Sequence, residues 1–236
     1  MIAFLVMSSA VAAGAAIQGA IGFGFALVAV PVFALVEPEA VPAAVLLLSL
    51  PMTVGMAARE RAHADRTGFG WLIVGRVVGT AVGVATLVSV SSDGLSIVTG
   101  FALLIAVAGS AGGIRVDPSP ATNVAVGAVS GAMGTTSAIG GPALAVLYQR
   151  RPGPELRSTL AAVFVLGSLI SLGALLVAGE VHLEQLVLAL QLLPALVLGL
   201  VAGSVVTRWL DGPWLRPAVL AFAAVAGLVI VVRGMT

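Results

Sequence analysis

Two glycine-rich stretches and one arginine are the residues of this 236-residue chain best suited to chemistry. Gln18 to Pro31 reads QGAIGFGFALVAVP, and Ser130 to Pro142 reads SGAMGTTSAIGGP. Glycine lets a helix stop and lets backbone or guest approach closely. Where a helix restarts, its free N–H groups and positive dipole end suit an anion. In the first stretch Gln18 adds an amide beside Gly19, Gly22 and Gly24. In the second, Ser130, Thr135, Thr136 and Ser137 add hydroxyls beside Gly131, Gly134, Gly140 and Gly141. None of these groups does covalent chemistry, so the expected task is to bind a small oxyanion. Each glycine also has a plainer use in close helix packing. The run Gly19-x-x-Gly22-x-Gly24 lacks the spacing and flanking strand of a dinucleotide loop. Arg76 has two readings: snorkelling to the inner interface, or serving as counter-charge to an anion.

The chain around these residues is 60% hydrophobic and 9% charged, with mean hydropathy +1.17. A soluble domain carries about 25% charged residues, so a membrane protein is expected and a water-soluble enzyme is excluded. All eleven cations are arginine against ten acids, and a net charge of +1 predicts no nucleic-acid partner. With no cysteine, and with His63 and His182 each beside charged residues, no metal site, cofactor or catalytic nucleophile is expected.

A spanning helix needs about 20 apolar residues. Polar stretches divide the chain into apolar segments at 1–36, 40–58, 69–90, 94–112, 121–148, 158–179, 184–207 and 213–232. The first is too long for one span, and it and the fifth are interrupted by glycine. Such interruptions belong inside the protein or against a cavity. The halves 1–115 and 116–236 also match in order. Gln18–Gly22 pairs with Ser130–Gly134, Pro31 with Pro142, and Gly75, Gly79 and Gly83 with Ala195, Gly199 and Gly203. Those small-residue faces are expected to bring the third spans of the two halves together. Arg59, Arg61 and Arg66 place their loop in the cytoplasm. If the fifth segment enters and returns, breaking near Gly131–Gly134, then Arg150, Arg151 and Arg157 stay inside as well. The expected fold is therefore all-α and polytopic, with two inverted-topology repeats. Each repeat comprises a broken, re-entrant helical hairpin, or in its place two full spans with the same orientation, and three transmembrane helices, an arrangement recurrent among secondary transporters.

The sequence resembles the TauE/SafE (TSUP) family of sulfite and organosulfonate transporters. The likeness is carried by Gln18-Gly19-x-x-Gly22-x-Gly24 with Pro31, by Gly131-x-x-Gly134 with Gly140-Gly141-Pro142, and by the polar loop Arg59–Arg66. The resemblance implies a carrier of small sulfur-containing anions in the cell membrane, operating as an exporter. A passive anion channel and a non-transporting scaffold are the alternatives, and the paired breaks argue against a scaffold.

Overall fold

The computed structural model describes residues 1–21, 23–60, 68–111, 116–148, 151, 153–210 and 215–235, and these form ten α-helices with no strand among them. They are α1 (Ile2–Ile21), α2 (Phe25–Val36), α3 (Ala43–Glu60), α4 (Phe69–Ser89), α5 (Ser92–Ala111), α6 (Pro120–Ser137), α7 (Gly141–Tyr148), α8 (Gly153–Ala178), α9 (Leu183–Leu210) and α10 (Leu215–Met235). A short 3-10 turn, Pro38–Ala40, joins α2 to α3. Six helices, α1, α4, α5, α8, α9 and α10, are long and apolar enough to cross a membrane. Their outward faces stay apolar, as at Val74, Val78 and Val82 of α4 and Leu198 and Val201 of α9. Exposed valine and leucine on helices this long suit a lipid surround.

The long first segment is two helices, α1 and α2, and the fifth is likewise α6 and α7. The first break falls at Phe23–Gly24, where Gly24 takes φ +120°, a backbone that side chains rarely adopt. The second does not fall at Gly131–Gly134, which lie inside α6. It comes after Ser137, where Ala138 turns left-handed at φ 59°. The N–H groups of Ala138 and Ile139 then donate back to the carbonyls of Gly134 and Met133, closing the helix end. The two prolines also sit differently: Pro31 is in the middle of α2, whereas Pro142 is in the first turn of α7. A proline is tolerated in a first turn, where its missing N–H would be unpaired anyway.

The small-residue faces pack closely, but not with the expected partner. Gly75 and Gly79 of α4 lie against the backbone of Val124 and Ala128 in α6. A side chain on either would overlap main-chain atoms. From the opposite side, Gly127 and Gly131 of α6 meet the backbone of Leu72 and Arg76. In the other half, Gly199 and Gly203 of α9 rest on Ala12 and Ala16 of α1. So α4 packs on α6 and α9 on α1, while α5 pairs with α10 and α3 with α8. A glycine face needs an equally slim surface opposite it; α1 and α6 supply one, and the two third spans do not provide it for each other. The largest core cluster joins α1, α2 and α3 to α5, α9 and α10. A second gathers Leu72 of α4 with α7 and α8.

Candidate functional site

The break between α1 and α2 is held by a side chain. Gln18, buried on α1, accepts a hydrogen bond from the Phe25 N–H through its Oε1 at 3.0 Å, and so caps the start of α2. Ser130 on α6 does the corresponding work at the second break, donating from Oγ to the Gly140 carbonyl at 2.8 Å. Buried backbone groups left without partners are costly, about 1–3 kcal/mol each. These two side chains remove part of that cost at membrane depth.

Arg76 joins them. It stands seven residues beyond Phe69, the start of α4, which at 1.5 Å per residue is about 10 Å into the helix. It is 2% exposed, so it does not snorkel. The side chain runs inward, and Nη1 donates to Ser130 Oγ at 2.7 Å. Three glycines make room for the guanidinium. A Cβ on Gly134 would come 3.0 Å from Nη2, and one on Gly140 would come 3.1 Å from Nη1. At Gly167 of α8 it would overlap Nε outright. The Nε group has no hydrogen-bond partner.

The guanidinium borders a small cavity of about 50 Å³ between the two breaks. Gln18, Gly24 and Phe25 line it from the first break, and Gly134, Gly140 and Gly141 from the second. Ser49 and Thr53 of α3 and Ser168 of α8 add hydroxyls, and Phe23 and Phe164 add rings. Among the described residues, no Asp, Glu, His or Lys lines the cavity. A lone cation at this depth is disfavoured by at least about 2.5–3.5 kcal/mol. A site that keeps one without an acid beside it is suited to a negatively charged guest.

Other expected residues lie elsewhere. Gly19 is exposed on α1, Gly131 packs against α4, and Gly22 falls outside the described residues, as do Arg61, Arg66 and Arg150. Thr135 shares hydroxyl hydrogen bonds with Thr80 at 3.3 Å and Ser171 at 2.8 Å. The Thr136 and Ser137 hydroxyls donate to the Ala132 and Met133 carbonyls of their own helix. Sequence reasoning did not single out Gly167 and Ser168. Their one signal is a pair of small residues within the Leu- and Val-rich run of α8.

A larger hollow of about 470 Å³ lies apart from the cavity, lined by Glu39, Glu180, His182 and Glu184 among others. Gln185 ties its rim together: its Nε2 donates to the Glu39 carbonyl at 2.7 Å, and its Oε1 accepts from the His182 N–H at 2.9 Å. Leu46, Leu87, Leu172 and Leu175 form an apolar cluster with a face on each space. Leu46 lines the cavity and Leu87 lines the hollow. The cluster therefore touches both spaces.

Six helices long and apolar enough to cross a membrane mark an integral membrane protein, and a small cavity with one buried cation on its wall lies between the two helix breaks. The sequence model of the family described as Sulfite exporter TauE/SafE matches residues 6–230, nearly the whole chain, and the protein belongs to that family of membrane transporters. Neither a curated protein nor a solved structure matches it.

Proposed function

We propose that this protein is a secondary carrier that moves a small sulfur oxyanion out across the cell membrane, holding it beside Arg76 between the two helix breaks. The observation that carries the reading is a guanidinium 2% exposed at membrane depth, facing a cavity with no acid among its described lining residues. A water needs at least about 10–15 Å³ of such space. A cavity of about 50 Å³ then suits about three to five water-sized groups, about the size of a trioxo anion such as sulfite.

The proposed mechanism is alternating access by two inverted repeats, 1–115 and 116–236. In support, the helix pairings are exchanged between the halves: α4 on α6 answers α9 on α1, and α4 on α8 answers α9 on α3. The arginine-bearing loops face the cytoplasm in this reading, and the hollow lined by Glu39, Glu180 and Glu184 faces outward. The leucine cluster then closes the outer route while the anion sits at Arg76. Rocking one half against the other would part that cluster.

Purified protein in proteoliposomes should show saturable sulfite counterflow, and Arg76→Gln should abolish it while the variant remains folded and inserted. Flux that does not saturate, or that is unchanged in Arg76→Gln, would remove the carrier reading.

A further inference from the structure

The cavity contains a fixed amount of charge, and that amount restricts the guest. Arg76 supplies one unit, since a guanidinium stays protonated in proteins. The described residues that line it supply no other full charge; Arg59 of α3 and Glu155 and Arg157 of α8 belong to the same helices but are not among the lining residues. Gln18 of α1, Ser49 and Thr53 of α3, Gly134 of α6, Gly140–Pro142 at the start of α7 and Ser168 of α8 are all uncharged, and none of them titrates near neutral pH. The helix starts add only partial charge. The first N–H of α2 is already taken by Gln18, and Pro142 has no N–H to offer in the first turn of α7. The Ser49 and Thr53 hydroxyls are turned to carbonyls of their own helix, Leu46 and Ser49 respectively.

One positive charge neutralises one negative charge. A doubly charged guest would leave an excess negative charge in a site of low dielectric with no second cation and no group to lend a proton. Burial of an unpaired charge is strongly opposed, and the usual escape is a change of protonation state. Here only the guest can make that change.

We infer that the Arg76 cavity selects singly charged oxyanions, hydrogen sulfite and organosulfonates without a second ionised group, and rejects dianions such as sulfate and fully deprotonated sulfite. The inference rests on the proposed anion site and adds a charge rule to it. The same rule leaves the loaded cavity electrically neutral, with Phe23 and Phe164 beside it to accept an apolar substituent on sulfur.

The test is calorimetric titration of the detergent-solubilised full chain with three anions at about pH 6 and about pH 8.5, between which the proton on sulfite is lost. Methanesulfonate is singly charged at both values and should bind equally at both. Sulfite should bind roughly 10-fold or more tightly at the lower pH, because its singly charged fraction falls as pH rises. Sulfate, doubly charged at both, should bind at least about 100-fold more weakly than methanesulfonate. Sulfite affinity that is flat or rises with pH, or sulfate binding that equals methanesulfonate, would overturn the charge rule and leave the anion site standing. Absence of binding by all three, or binding that survives Arg76→Gln, would overturn the anion site itself and the rule with it.

Discussion

Gly167→Ala is the sharpest perturbation available, because it adds one methyl group and no charge. The three atoms nearest the new Cβ would be Nε, Cζ and Nη2 of Arg76, all at overlapping distance. What must yield is the far end of a flexible side chain, while the backbone of α8 can stay in place. Restoring an ordinary contact near ~3.5 Å requires the guanidinium to retreat by more than about 1 Å. That retreat breaks the 2.7 Å bond to Ser130 and withdraws the charge from the cavity. A hydrogen bond to a charged group contributes about 1.5–3 kcal/mol, so anion affinity should fall roughly 10- to 150-fold. Because the same bond exists without the guest, the unliganded melting temperature should also fall, by several degrees. Gly173→Ala provides the control, since the same helix has nothing within 4 Å of a Cβ there. Calorimetric titration with methanesulfonate on the two variants and the parent checks this. Equal affinity in all three, with Gly167→Ala folded, would refute the claim that Arg76 contacts the anion.

Gln18→Glu keeps an acceptor for the Phe25 N–H but places a carboxylate on the cavity wall. Helicity by circular dichroism should be retained while anion binding is lost through like-charge repulsion. Gly79→Val should destabilise the protein by about 1–3 kcal/mol or more, because the backbone of Ala128 cannot move aside. Gly70→Val on the same helix faces open space and should fold like the parent in a thermal-unfolding comparison. Gly24→Ala should lower stability by about 1–3 kcal/mol through its φ of +120°, again read by thermal unfolding.

Much of this architecture is legible in composition and spacing. Long apolar runs give the membrane class, and the glycines around residue 24 mark the first break. The second break is hidden because its left-handed position is held by Ala138, where a glycine would ordinarily announce the helix end. The direction of Arg76 is hidden for a different reason. A side chain with four rotatable bonds can reach the interface or the interior, and what decides is the absence of a Cβ at Gly167, far along the chain. The spacing of Gly75, Gly79 and Gly83 shows that something approaches closely. It does not say which helix, because α1 and α6 carry small residues as slim as those of the third spans.

The offset of 120 residues that pairs Gly75 with Ala195 pairs Arg76 with Leu196, which is buried in the main core. Under the proposed repeat only one member of the pair bears a cation, and the two end states of the proposed rocking cycle would hold the guest unequally. Such lopsidedness changes how fast loading and release occur on each side, but detailed balance prevents it from concentrating anything. Voltage can. A singly charged anion is driven from a negative interior by about 2.3 kcal/mol per 100 mV, roughly 50-fold in concentration. Under the charge rule proposed above, outward movement of the anion would need no partner ion, and collapsing the membrane potential would remove that bias.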